Sequence, residues 1–110
     1  MTNELTSKRS RPIEKGTPAL GDDVIRKYLA MLPGWERKGN AIAKTFTFKN
    51  YHETMAFVNA SAWVSHREDH HPDLEVGYNK CRVRYSTHSA GGPTERDFGC
   101  AGKLEALFQL

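Results

Sequence analysis

Residues 66–88 read HREDHHPDLEVGYNKCRVRYSTH, and the fold turns on how this stretch is divided. Leu74, Val76 and Tyr78 alternate with Asp73, Glu75 and Gly77, and after Asn79-Lys80 the residues Cys81, Val83 and Tyr85 alternate with Arg82, Arg84 and Ser86. A period of two is the mark of a half-buried strand, so the stretch predicts an antiparallel hairpin. Pro72 fixes where that hairpin begins. Its ring disfavours the α region for His71, so a helix arriving from upstream ends at about Asp69 or His70 and the chain leaves it extended. The two ends of a hairpin spanning 74–88 return to one edge. His88 is therefore expected within side-chain reach of the His70-His71 pair, with Asp69 beside them.

Working outward, NYHETMAFVNASAWVSHRED (50–69) contains neither Gly nor Pro and reads as a long central helix. Tyr51, Met55, Val58 and Ala62 form one candidate buried row, and Phe57, Ala60 and Val64 a second. Upstream, Val24, Ile25, Tyr28, Leu29 and Leu32 recur at three- and four-residue steps, which predicts a helix from Gly21 to Leu32 stopped by Pro33-Gly34. Between the two helices a Gly39-Asn40 turn separates short segments in which Ile42, Phe46 and Phe48 share a parity that Lys44 interrupts, the pattern of another hairpin. Downstream, SAGGP breaks the strand pattern. Thr94 with Asp97 three residues later matches a capping box that opens a last helix to about Phe108. The order is α-β-β-α-β-β-α, an α+β chain without internal repeats.

A chain of 110 residues has room for one domain, and 38% apolar content is enough to give it a core. The polar segment 1–18, broken by Pro12, Gly16 and Pro18, is expected to be a mobile tail, leaving 19–110 as the single domain. Of the formal charge of +3, about two units belong to that tail, so the basic balance argues little for nucleic acid. No run is apolar enough for a secretion signal or a bilayer span, and a cytoplasmic location with no membrane partner is expected. Cys81 and Cys100 have no metal or redox spacing and read as reduced thiols packed as small apolar groups.

Four of the five histidines lie in the opening stretch. Adjacent residues of an extended chain point to opposite sides, which sets His70 and His71 against gripping one ion, and no familiar ligand spacing completes a zinc site. A second reading leaves them as polar residues at a helix end and a turn, as His52 and His66 are read on the surface. The third is proton transfer: imidazole near neutral pH both donates and accepts, and a carboxylate such as Asp69 would fix its tautomer. Ser86 and Thr87 lack the Gly-x-Ser-x-Gly elbow of an acyl-enzyme nucleophile, so addition or elimination chemistry is the more economical proposal.

At this point the motifs DHHPDLEVGYNKCRVRYSTH and TERDFGCAGKLEAL, with LPGW and FTFKNYHETMAFV upstream, closely resemble the pterin-4a-carbinolamine dehydratase family, also described as dimerisation cofactor of a hepatic nuclear factor. The resemblance runs from about residue 20 to the C-terminus. It implies a four-stranded antiparallel sheet with helices packed on one face. It also implies a reaction, loss of water from 4a-hydroxytetrahydropterin to give quinonoid dihydropterin in tetrahydropterin recycling, with no metal and no bound cofactor. Carried over by position, His70 and His88 are the implied acid and base and His71 lines the pocket. Asp69, Ser86, Thr87 and Ser89 are implied contacts of the pterin, directly or through the histidines. Two positions depart from the pattern: His66 stands where many members carry glutamate, and Leu74 where an aromatic often follows. Trp35 matches a recurrent tryptophan and is read as core. The resemblance further implies a homodimer or homotetramer, and its alternative function is a module binding a partner's dimerisation helix. The complete Asp-His-His and Ser-Thr-His sets favour the enzyme.

Overall fold

Four antiparallel strands form one sheet in the order β1-β2-β4-β3, and the computed structural model describes residues 18–108 of the chain. The elements are α1 (Asp22–Ala30), β1 (Glu36–Lys38), β2 (Ala41–Thr47), α2 (Tyr51–Glu68), β3 (Asp73–Val76), β4 (Lys80–Ser86), a 3-10 turn (His88–Ala90) and α3 (Glu95–Phe108). This is the α-β-β-α-β-β-α order expected, in an α+β fold. The tail expected over residues 1–18 lies, but for Pro18, outside the described residues. No described helix is long and apolar enough to cross a membrane.

β2 and β4 make the centre of the sheet. They pair along their whole length from Ala41↔Ser86 to Thr47↔Lys80, and the long α2 connection between them lets two strands distant in sequence lie side by side. Their inward residues, Ile42 and Phe46 from β2 with Cys81, Val83 and Tyr85 from β4, are almost wholly buried. Ile25 and Tyr28 from α1, Leu32 from the turn after it, and Phe98, Cys100, Ala101 and Leu104 from α3 close the core over them. β3 takes the outer edge. That position corrects part of the hairpin reading: only Leu74 is partly buried, Val76 is exposed, and Tyr78 falls in the turn with 66% of its surface in water. An edge strand of four residues has a neighbour on one side only, so alternation there does not guarantee burial.

α2 corrects a second expectation. Its buried stripe is Thr54, Phe57, Ser61, Ser65 and Glu68, whereas Tyr51 and Ala62 are exposed. Small hydroxyl residues return their polarity to the helix: Ser61 Oγ donates to the Val58 carbonyl at 2.7 Å and Thr54 Oγ1 contacts the Asn50 and Tyr78 carbonyls at 2.9 Å. With those bonds made, a Ser or Thr buries at little cost and lets the helix approach the sheet closely. Asn50 caps the start, accepting the Glu53 N–H at 2.9 Å.

Lys44, the polar interruption in β2, points inward with its strand's apolar parity. It pairs with Glu105 of α3 and donates to the Pro33 carbonyl at 3.0 Å, while Trp35 Nε1 donates to the same Glu105 oxygen at 2.8 Å. Trp35 is 5% exposed and packs edge-on to Phe46. It is a core residue, as read.

Both cysteines are buried free thiols. Burial pushes the Cys100 thiol up to about 12, with the charges of Glu68 and Asp97 adding to it, and burial also raises Cys81. Since the thiolate is the reactive species, a thiol-specific disulfide reagent at neutral pH should label neither cysteine in the native protein within minutes and both in denaturant. Rapid labelling of the folded chain would contradict the packing described.

Candidate functional site

The site begins at the end of α2. Asp69 takes the left-handed conformation at φ 52°, its N–H bonds the His66 carbonyl at 3.2 Å, and the His70 N–H bonds the Ser65 carbonyl at 3.0 Å. These are the two bonds of a Schellman stop, with Asp in the place glycine usually holds. Left-handed backbone costs a residue with a Cβ about 1 kcal/mol, less for Asp and Asn, whose short side chains suit it. Arg96 of α3 donates to the Asp69 carbonyl and ties the turn to the last helix. Pro72 then carries the chain into β3.

The two histidines leaving this turn part company. His70 is 8% exposed and turns inward, whereas His71 faces solvent, the alternation expected of extended backbone. The β3–β4 ladder ends at Asp73↔Arg84, and His70 and Thr87 lie just beyond that end on the two chains. A carboxylate from a third element joins them. His70 Nε2 lies 2.5 Å from Asp97 Oδ1, and Asp97 Oδ2 accepts the Thr87 hydroxyl at 2.7 Å and the Thr94 N–H at 2.8 Å. Thr94 Oγ1 is 2.8 Å from Thr87 Oγ1, and because the Thr87 proton is committed to Asp97, Thr94 is the donor in that contact. Asp97 has no exposed surface, and the Thr87 hydroxyl and the Thr94 N–H both donate to its Oδ2.

That network decides the His70 tautomer. A carboxylate only accepts, so the proton of the contact belongs to Nε2, and Nδ1 is the nitrogen left to a bound molecule. Tyr85 covers one face of the imidazole, with centroids 5.6 Å apart and the planes 17° from parallel.

The sequence reading gave this orienting role to Asp69; the structure assigns it to Asp97. Asp69 is spent on the left-handed turn, with an exposed side chain, while Asp97 reaches His70 from α3. The Thr94/Asp97 motif that opens α3 is also where the expected capping box forms, though only by half: Asp97 accepts the Thr94 N–H, and the Thr94 hydroxyl turns to Thr87. One carboxylate thus caps a helix with one oxygen and holds a histidine with the other. The capping signal is visible in the spacing; a site role for Asp97 is implied only by its place in the Glu-Arg-Asp motif of the resemblance, and its partner 27 residues away is not.

The remaining candidates border this network. Ser86 ends β4 half-buried, Thr87 is inside the network, and His88 and Ser89 are exposed in the 3-10 turn that follows. The hairpin brings Thr87 to the carboxylate that holds His70, and so sets His88 one residue from it. Three surface hollows lie elsewhere and include none of these histidines: a groove of about 680 Å³ beside Phe48, Phe57 and Phe108, and two smaller ones on the open face of the sheet. Among the described residues, no three His, Cys, Asp or Glu side chains gather as a metal ion would require. What the arrangement offers is a buried, oriented imidazole whose Nδ1 is not used by the carboxylate, with exposed histidines following it and following Thr87 in the chain. That is equipment for moving protons.

Residues 18–107 match the family described as Pterin 4 alpha carbinolamine dehydratase. A protein of Nitrosospira multiformis that bears the pterin-4-alpha-carbinolamine dehydratase name is 53% identical over 108 residues, covering 98% of this chain and 96% of its own length. One of the same name from Nitrosomonas europaea is 54% identical over 112 residues, covering 99% of each chain. Among solved structures, the transcriptional coactivator/pterin dehydratase from Brucella melitensis superposes with a TM-score of 0.78 at 32% identity, over 81% of this chain and 97% of that one.

Proposed function

The chain belongs to the pterin-4a-carbinolamine dehydratase family, a family of hydro-lyases, and we propose that it eliminates water from a 4a-hydroxytetrahydropterin with His70 and His88 as its acid–base pair. The observation that carries this reading is the His70–Asp97 contact at 2.5 Å in a buried network of donors. The contact fixes the ring proton on Nε2 and so leaves Nδ1 as an acceptor.

The reaction needs two proton transfers. One group takes the proton from N5, whose electron pair closes the N5=C4a double bond; the C4a–O bond breaks as a second group protonates the departing hydroxyl, and water leaves. His70, with its proton pinned on Nε2, presents Nδ1 as the base. His88 is the acid, and its exposure lets it recover a proton from water before the next turnover. His71, on the opposite side of the chain from His70, borders the mouth, with Ser86 and Ser89 as pterin contacts. Thr87 acts through Asp97, and Asp69 contributes the turn that aims His70 inward. The product is a quinonoid dihydropterin, which a reductase returns to the tetrahydro form, so the reaction belongs to tetrahydropterin recycling in the cytoplasm.

A second reading draws on the outer face of α2, where Trp63 is 69% and Tyr51 52% exposed, as a surface for a second copy or a partner's helix. It does not compete for the same residues.

The test is direct. Purified protein should accelerate the decay of 4a-hydroxytetrahydropterin, followed by ultraviolet absorbance, above its spontaneous rate, and a chelator should leave the acceleration unchanged. Decay at the spontaneous rate would remove the enzyme reading and leave the partner surface as the stronger one.

A further inference from the structure

We propose that Tyr85 is a positioning residue that sets the plane of the His70 imidazole, an inference that rests on the catalytic reading of His70 given above. A single hydrogen bond fixes where Nε2 sits, but it leaves the ring able to turn about the line joining Nε2 to Asp97. Turning displaces Nδ1, the nitrogen that must meet the N5 proton. A second constraint is needed, and it has to act on the ring's face.

Tyr85 supplies it. The two rings are 17° from parallel with centroids 5.6 Å apart, an offset stack, and Tyr85 has no exposed surface and hence no contact with a substrate in solution. Tyr85 is itself held from several directions. Trp35 packs at 6.4 Å between centroids, and the phenol oxygen lies 3.4 Å from Ser65 Oγ. Ser65 is also the residue whose carbonyl accepts the His70 N–H, so backbone and ring support of the histidine meet at one position of α2. The chain adds a further link: Tyr85 near the end of β4 and Thr87 just past it are both buried, one stacking on the imidazole and the other bonding the carboxylate that orients it. Burial raises the Tyr85 pKa, so the phenol stays neutral throughout the working range and offers His70 a face rather than a charge.

Misplacement of a reacting group by a fraction of an ångström to an ångström is felt in turnover. Tyr85→Leu, which keeps an apolar side chain without a flat face, should lower kcat on the order of tenfold or more while KM stays within about twofold, because no substrate contact is removed. Tyr85→Phe keeps the face and should stay within about threefold of wild type. Nuclear Overhauser contacts between the His70 and residue-85 rings should be present in wild type and Tyr85→Phe. Full turnover by folded Tyr85→Leu, or equal losses in both variants, would overturn the proposal. If Tyr85→Leu does not fold, the wild-type ring-to-ring contact decides: its absence overturns the proposal. Wild type without activity above background would instead defeat the catalytic reading, and the ring contact would still report whether Tyr85 holds His70.

Discussion

His70→Ala should dehydrate the 4a-hydroxypterin on the order of a hundredfold or more slower than wild type, the loss typical of a missing general acid or base. The drop should appear in kcat, since the ring's principal task is proton transfer. Removing the imidazole takes one of the donors from Asp97, but Thr87 and the Thr94 N–H remain bonded to the other oxygen, and the 8% of His70 open to solvent gives water a route into the vacated space. The variant should therefore stay folded, losing about 1–2 kcal/mol. Added imidazole should restore part of the rate by occupying that space, a rescue that no change in packing alone would give. His88→Ala should lose a similar factor with no measurable loss of stability, because its side chain is at the surface. His52→Ala, on the exposed first turn of α2, should behave as wild type. Turnover by His70→Ala within about threefold of wild type would refute the assignment.

How far the site could be read from the sequence follows from the range of the forces that make it. Periodicity is local, so β4 was legible: Cys81, Val83 and Tyr85 are buried as their spacing predicted, because a central strand has one face committed to the core. Pro72 was legible for the same reason, acting only on its neighbour, and α2 does stop at Glu68. The α2 stripe was not, since Thr54, Ser61 and Ser65 look like surface residues until the helix's own carbonyls are counted as their partners. Neither was the edge place of β3, which depends on β2 crossing over α2 to pair with β4. The hairpin reading brought the His70-His71 pair and His88 to one edge, and it is the neighbouring Thr87 that shares a partner with His70. The contact of Asp97 with His70 could not be read in this way: spacing accounts for its cap within α3, the Glu-Arg-Asp resemblance leaves a site role open without naming a partner, and only docking of α3 on the sheet gives its second oxygen to His70.

Asp97 is for that reason the position where one substitution separates stability from chemistry. Asp97→Ala leaves the Thr87 hydroxyl, the Thr94 N–H and His70 Nε2 without their acceptor in a place water does not reach, and should cost about 2–4 kcal/mol, lowering Tm by roughly 10–20 °C. Asp97→Asn has the same shape and keeps one oxygen. That oxygen can still accept from Thr87 and Thr94, so most of the stability should survive, with a loss of about 1 kcal/mol. The amide nitrogen then faces His70, where it can only donate. His70 must accept at Nε2, and in the neutral ring its proton moves to Nδ1, the nitrogen that has to be bare to take the N5 proton. Asp97→Asn should consequently fold well and turn over roughly a hundredfold to ten-thousandfold more slowly, as expected when an orienting carboxylate becomes an amide and holds the wrong tautomer. Urea melts, steady-state rates and the nitrogen-15 shifts of His70 together check this. A folded Asp97→Asn enzyme at the wild-type rate, with Nδ1 protonated, would show that His70 is not the base and that the buried carboxylate serves the helix alone.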